Sequence, residues 1–473
     1  MHDIEELIGV KRIHLMGIGG AGMSALALLL SNMGFKVDGC DLAISAYTSR
    51  LENAKIECFQ DHSPSHIEKT IPQLVVYSSA LKPDHEELIE AQRRGIRTAG
   101  RGEVLSWLFN AYRGIGVAGT HGKTTTSSMI GLILERSGRD PTLAIGAEVH
   151  DIGTNARIGG SDLFVAEIDE SDGSFEYFMP ALTVVTNVDW DHVNYFQTQE
   201  DVLSAFIRFS RARKPGAPLV ICAEDNGSQS LIQALCGDPD VVTCGWGNAW
   251  NWGAFDVNRK PGGGVSFSVS REGKKQGEIS LSLSGDHNVM NALVACAAAC
   301  SVGVDFADVT RTLSVFQGAR RRLEKVGVKK WGENDTIEII DDYGHHPTEI
   351  SASLSAMRDI YPDRRIVVAF QPHRYTRTRA FYREIAIALE SADVALLLPI
   401  YAAGEDPLPG ISSDSIIDLI NAAGGHAVLC GSEDDALRKL DSILCGGDVL
   451  MTLGAGNISG LGDAYLKRVS LGL

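Results

Sequence analysis

A chain of 473 residues that is 44% hydrophobic and 22% charged is long enough for about three domains and apolar enough for each to bury a core, which excludes wholesale disorder. Its 43 Lys and Arg against 60 Asp and Glu leave a formal charge of −17, so neither nucleic acid nor an anionic membrane is an expected partner. The acidic start Met1-His2-Asp3-Ile4-Glu5-Glu6 lacks the form of an export signal, and the most apolar stretches, 25–30 and 292–304, are shorter than the roughly 20 residues that span a bilayer. The nine cysteines are scattered without a C-x-x-C pair, and Cys296 and Cys300 share one helix face, so reduced thiols and a cytoplasmic location are expected.

In chain order, short β-branched runs alternate with helical periods, the pattern of βαβ units, and the class is α/β with parallel sheets. Residues 11–16 read as a strand, 21–33 as a helix, and 36–40 and 74–78 as further strands of a doubly wound domain ending near 110–113. Between the first strand and helix lies Gly17-Ile18-Gly19-Gly20-Ala21-Gly22, a G-x-G-x-x-G turn, with Asp41 at the end of the next strand. Glycines let the backbone approach a diphosphate, the helix N-terminus offers free N–H groups, and the acid can accept a ribose hydroxyl. The turn itself does not choose between a dinucleotide and another nucleoside diphosphate.

A second start follows: a strand at 114–118, the turn Gly119-Thr120-His121-Gly122-Lys123-Thr124-Thr125-Thr126, and a helix at 123–136. Val117 departs from G-x-x-x-x-G-K-[ST], but the chemical parts remain: N–H groups to cradle phosphates, Lys123 for the terminal phosphates and the Thr124 hydroxyl for Mg²⁺. ATP or GTP is the expected ligand. Strands at 163–168 and 182–187 lead into Glu167, the turn Asp169-Glu170-Ser171-Asp172, and Asp189, Asp191 and His192, which are candidate metal donors beside a phosphate loop. Residues 246–285 alternate with period two around Gly262-Gly263-Gly264, an antiparallel patch, and an Ala-rich helix at about 288–300 closes the region. Gly318 and Arg320-Arg321-Arg322 mark the next junction.

Beyond it, strands are expected at 337–340, 365–370, 394–398, 427–430 and 449–453. Asp341-Asp342-Tyr343-Gly344-His345-His346-Pro347-Thr348-Glu349 leaves the first of these at the strand edge where α/β folds place ligands. Gln371-Pro372-His373-Arg374-Tyr375-Thr376-Arg377 leaves the second. Arginines there can clamp a carboxylate or phosphate, and cations at a helix start oppose the dipole unless an anion is present.

These stretches form an ordered series: GIGGAGMSA from Gly17, GTHGKTTT from Gly119, ESD from Glu170, NVDWDH from Asn187, GDHNVMNA from Gly285, RRRLE from Arg320, DDYGHHPTEI from Asp341, FQPHRYTRT from Phe370 and GAGN from Gly454. The series resembles the Mur ligase family, in its alanine-adding branch. The resemblance implies three domains: an N-terminal Rossmann-like domain for a UDP-sugar (1–112), a central P-loop-type ATPase with a mixed sheet (113–318), and a C-terminal Rossmann-like domain for ATP and the amino acid (319–473). It implies ATP-dependent ligation of L-alanine to the lactyl carboxylate of UDP-N-acetylmuramate in peptidoglycan synthesis, through an acyl phosphate. Mg²⁺ or Mn²⁺ would assist, and the protein would be a monomer or weak homodimer.

Carried over by position, the resemblance implies that Gly119, Thr120, His121, Gly122, Lys123, Thr124, Thr125, His287, Asn288 and Arg321 bind ATP. The first glycine turn with Met23, Asp41, Ser78 and Ser79 would hold the UDP-sugar; Tyr343, His345, His346, Arg374 and Arg377 would face the muramyl and alanine groups. Thr124, Glu167 and His192 would hold metal; Lys123, His345 and His346 would be catalytic, either histidine taking the amine's proton. Trp190 and Ile168 stand where smaller residues are common, and 193–208 contains no Lys, so the carbamylated lysine of some Mur ligases is not expected. Three other readings are weighed. A nicotinamide oxidoreductase leaves Lys123 unexplained, a nucleotide switch has no use for His345, His346, Arg374 and Arg377, and a recycling ligase would add a cell-wall peptide to the same sugar nucleotide.

Overall fold

The computed structural model describes residues 4–42, 45–82, 84–171, 173–260, 262–332 and 335–468. Met1, His2, Asp3 and Asp172, all used above, lie outside the described residues. Three sheets follow one another along the chain.

The first is a five-stranded parallel sheet ordered Glu57–Phe59, Lys36–Cys40, Arg12–Met16, Leu74–Tyr77 and Arg97–Gly100. Its central strands are buried almost end to end, as parallel strands covered on both faces must be. Ile13 and Leu15 point into a core that continues without a break through Phe109, Phe164, Phe175 and Phe206, so the first two domains share hydrophobic packing. Met16, Cys40, Val75 and Leu88 pack on the opposite face.

The second sheet has ten strands, ordered Lys274–Leu281, Val265–Arg271, Trp252–Arg259, Val241–Trp246, Leu219–Cys222, Leu182–Val185, Arg113–Ala118, Leu163–Glu167, Thr142–Val149 and Thr154–Arg157. It is parallel through its middle and antiparallel at both ends, a mixed sheet. The antiparallel patch expected from the period-two alternation continues the main sheet through Trp252–Arg259. Helices Lys123–Arg136 and Asp286–Ser301 pack together; small Ala residues let the second be buried nearly all round.

The third sheet is ordered Glu324–Trp331, Asp335–Asp342, Val449–Leu453, Ile366–Phe370, Val394–Leu397 and Ala427–Leu429, with cores on both faces. It is Rossmann-like except at one edge, where Glu324–Trp331 runs antiparallel. That strand reads EKVGVKKW and exposes Lys325 and Lys330, the polar dress of an edge strand. Among the described residues no helix is long and apolar enough to cross a membrane, and every cysteine is a free thiol.

Candidate active site

The first glycine turn hangs on the end of the neighbouring strand: the N–H groups of Gly17 and Ile18 both donate to the Cys40 carbonyl, at 2.8 and 3.0 Å. Ile18 turns into the core, so only its backbone belongs to the turn. Asp41, expected at a ribose, contacts the turn itself. Its Oδ2 accepts from Gly19 N–H at 2.9 Å, so the carboxylate braces the turn, and it does not line the cleft. Gly20, Ala21, Gly22, Met23, Ser78 and Ser79 do line it, in a cavity of about 950 Å³ where all three domains meet. Helix Ala21–Asn32 enters with no side-chain cap and no acid in its first turn, which leaves its N–H groups and positive dipole end to an anion.

The second turn is built the same way, and more tightly. Gly119 has φ of +132°, and a Cβ there would lie 2.0 Å from Thr186 Oγ1, so the approach of loop to strand requires glycine. Gly122, at φ of +78°, starts helix Lys123–Arg136, again uncapped by any side chain. Thr120 Oγ1 donates to the Asp189 carbonyl at 3.0 Å. His121 stands between Asp189 (3.2 Å) and Glu349 (3.3 Å); burial opposes its charge, but the two carboxylates outweigh burial and push its pKa up to about 9.

Lys123 Nζ donates to the carbonyls of Gly119 (2.6 Å) and Thr120 (3.2 Å) and to both oxygens of Glu170, at 3.0 and 2.8 Å. Burial works against the ammonium, yet Glu170 and Asp169 hold it charged above the ordinary lysine range. Thr124 Oγ1 and Gly146 N–H both donate to Glu167 Oε2, at 2.9 and 2.7 Å. His192, at φ of +52°, lies 3.6 Å from Glu170 and groups with Asp169 and Glu170 rather than with Thr124 and Glu167. Thr124, Glu167 and Asp169 line the same cleft. Carboxylates, a hydroxyl and one imidazole without a thiol are the donor chemistry of Mg²⁺ or Mn²⁺, and these residues fit such an ion.

On the other side of the same loop lies a pocket of about 240 Å³ lined by His121, Gly122, Thr125, His287, Asn288 and Arg322. Burial and Arg322 bring His287 down to about 4, so it is neutral at physiological pH. Arg321, expected here, does not reach it. Its guanidinium donates to Asp341 (3.0 Å) and to the carbonyls of Gly454 (2.5 Å) and Gly456 (3.3 Å), against the Tyr343 ring. Positive φ at Arg321 and Leu323 twists the backbone so that neighbouring arginines part company: Arg320 and Arg321 face the large cleft only, while Arg322 lines both.

Of the C-terminal candidates, Tyr343 lines the large cleft. His345 places Nδ1 3.1 Å from the Tyr343 carbonyl, which assigns the proton to Nδ1 and the lone pair to Nε2; burial and Arg377 bring it down to about 3. His346 is the N-cap of helix Pro347–Ile360: Nδ1 accepts from Thr348 N–H at 3.3 Å and Nε2–H donates to the Trp190 carbonyl at 3.2 Å. Both its nitrogens are engaged, so it is a poor acceptor for a substrate proton. Arg377 is held by Asp191, and Arg374, at φ of +68°, has Glu405 at 3.6 Å; neither lines the cleft. The cleft's cationic lining comes instead from Arg320 to Arg322, Lys325, Arg50 and Arg101. Arg101 has Asp169 at 3.5 Å and begins the helix after the last strand of the first sheet. That strand-edge position was its only sequence signal; no motif marks it.

Comparison with known proteins matches residues 12–113 to the Mur ligase family catalytic domain, 117–299 to the Mur ligase middle domain and 321–456 to the Mur ligase glutamate ligase domain. A UDP-N-acetylmuramate–L-alanine ligase of Sulfurihydrogenibium sp. (strain YO3AOP1) is 38% identical over 461 residues, 98% of each chain. The crystal structure of the UDP-N-acetylmuramate–alanine ligase of Thermotoga maritima aligns with a TM-score of 0.81 at 29% identity, covering 97% of this chain and 98% of that one. A murein peptide ligase of Psychrobacter arcticus 273-4 aligns at 0.73 and 26% identity, covering 98% and 100%.

Proposed function

The chain belongs to the Mur ligase family, and from that premise we propose that it joins L-alanine to the lactyl carboxylate of UDP-N-acetylmuramate, converting ATP to ADP and phosphate. One observation carries the assignment to named residues: a single glycine loop faces two cavities, with His121, Gly122 and Thr125 on the small pocket and Thr124 on the large cleft. A nucleotide lodged between His287, Asn288 and Arg322 would run its phosphates over the loop and present the last one to the cleft where the first glycine turn opens. The 38% identity to an alanine ligase along the whole chain, and among solved structures a TM-score of 0.81 to an alanine ligase against 0.73 to a murein peptide ligase, support alanine as the acceptor. The domain division is assigned at 1–112, 113–318 and 319–473, each segment containing one sheet, and the enzyme is assigned to the cytoplasm.

A carboxylate resists attack by an amine until it is made an electrophile. Its oxygen attacks the γ-phosphorus, ADP leaves, and an acyl phosphate forms. Two anions must meet for this, and Lys123 with the helix N-termini at Gly20 and Gly122 supplies fixed positive potential there. Divalent ions held by Thr124 with Glu167, and by Asp169 and Glu170 with His192, would neutralise further phosphate charge. Arg101 and Arg320 to Arg322 orient the anionic sugar nucleotide from the cleft wall. The neutral amine of alanine then attacks the acyl carbon and phosphate departs with one carboxylate oxygen. The amine proton leaves with the departing phosphate or to solvent, since His346 is committed to its cap and His345, brought down to about 3 and off the cleft lining, is a weak acceptor.

Substrate labelled with ¹⁸O in both lactyl carboxylate oxygens tests this sequence. One label must appear in the released phosphate and one in the new amide; phosphate free of label would overturn the acyl phosphate route.

A further inference from the structure

On the face of the first sheet opposite the shared core, four side chains from four elements converge: His14 of strand Arg12–Met16, Cys40 of strand Lys36–Cys40, His66 of helix Pro64–Thr70 and Glu87 of helix Glu86–Arg93. All four are buried, and their ligand atoms lie within 4.8 Å of one another. None lines the cleft or the nucleotide pocket. Glu87 Oε1 is 2.7 Å from His66 Nδ1 and 3.7 Å from His14 Nε2; Oε2 is 3.1 Å from Cys40 Sγ, which is 3.1 Å from His62 Nδ1.

The outer atoms of both histidines are already committed. His14 Nδ1 is 2.7 Å from Asp38 Oδ1, and His66 Nε2 is 3.0 Å from Asp61 Oδ1. His14 Nε2, with no solvent exposure, has no hydrogen-bond partner and faces the Glu87 carboxylate, as does His66 Nδ1. A proton fills the 2.7 Å gap between His66 Nδ1 and the carboxylate, and a divalent cation seated among the four converging atoms would take that proton's place. A carboxylate on the far nitrogen of each inward-facing histidine is also the arrangement that orients metal-bound imidazoles.

We infer that His14 Nε2, Cys40 Sγ, His66 Nδ1 and Glu87 form a closed, structural site for a zinc-type divalent cation. One thiolate, two imidazoles and one carboxylate are a tetrahedral zinc donor set and a poor one for Mg²⁺. Burial and the Glu87 charge keep the Cys40 thiol protonated well above its usual range, so cation entry releases that proton to solvent and replaces S–H by a metal–sulfur bond. The Cys40 carbonyl carries the first glycine turn, so the cation would pin the strand end from which that turn is suspended.

The test uses the full chain, stripped with a chelator and titrated with Co²⁺ in the absence of Mg²⁺. The expected result is the visible spectrum of a tetrahedral ion with a thiolate-to-cobalt charge-transfer band, saturating at about one equivalent and displaced by Zn²⁺. Cys40→Ser must abolish the charge-transfer band. Asp61→Asn, at an exposed carboxylate outside the four ligands, should keep the fold and the band while weakening affinity about 10- to 100-fold. Absence of the band in the unsubstituted protein, a band that survives Cys40→Ser, or unchanged affinity in Asp61→Asn would overturn the site and leave only a hydrogen-bonded cluster around Glu87.

Discussion

Arg377 meets Asp191 edge-on, with Nε and Nη2 2.8 and 3.0 Å from the two carboxylate oxygens, and each side chain is only 4% exposed. Bidentate geometry makes the pair strong, and burial makes either half expensive to leave alone. Removing one partner by Arg377→Ala or Asp191→Ala should cost about 3–5 kcal/mol in denaturant unfolding. The double variant should cost less than the sum by about 1 kcal/mol or more. Additive losses would mean that Arg377 is not committed to Asp191 and is available to a substrate carboxylate, as its motif suggested. The same lesson applies at Asp41 and His346. Residue type and spacing marked both for ligands, and the structure uses their atoms on the backbone, at Gly19 N–H and at the start of a helix.

At the scale of elements, the loop after Ala118 and the start of helix Pro347–Ile360 are joined by charge. His121 links Asp189 to Glu349, and Thr348 Oγ1 donates to Asp189 at 2.8 Å. The His121 pKa is raised in the folded protein from 6.5 to about 9, so this contribution is complete below about 6.5 and is lost as pH climbs through about 9. Its full size is about 3 kcal/mol. The stability gap between the unsubstituted protein and His121→Asn should therefore be widest near pH 6 and close toward pH 10; a gap independent of pH would contradict the link. Elements with strong local period were legible: helix Lys123–Arg136 fell on its expected bounds, strand Lys36–Cys40 likewise, and helix Asp286–Ser301 differed by two residues at its start. Strand pair Thr142–Val149 and Thr154–Arg157 was missed, as was edge strand Glu324–Trp331; the last is partly exposed and carries little apolar run to read, and in the first a short apolar run is broken by Gly146. Within the site, the two glycine loops and the Thr124–Glu167 pair were legible because strand-to-helix turns and strand ends announce themselves. Arg101 and Arg322 were not assigned, and His192 was placed with Thr124 and Glu167 instead of with Asp169 and Glu170, since these neighbours meet only across loops and domains.

At the scale of the molecule, the site exists only where three sheets converge. The first domain contributes its glycine turn and Arg101, the second its phosphate loop and acids, the third Tyr343 and the strand edge behind it. Contacts already bridge the parts: Arg50 pairs with Glu148, Asn155 donates to the Ala21 carbonyl at 2.9 Å, and Asp191 and His121 reach the third domain. A reaction whose substrates are divided among domains should give no product when any one substrate is missing. The most direct measurement is ADP release with UDP-N-acetylmuramate, ATP and Mg²⁺, offering L-alanine, L-serine, glycine or the cell-wall tripeptide and omitting each component in turn. The account predicts turnover that requires every component and is fastest with L-alanine. Preference for the tripeptide, or ADP release indifferent to the sugar nucleotide, would contradict it.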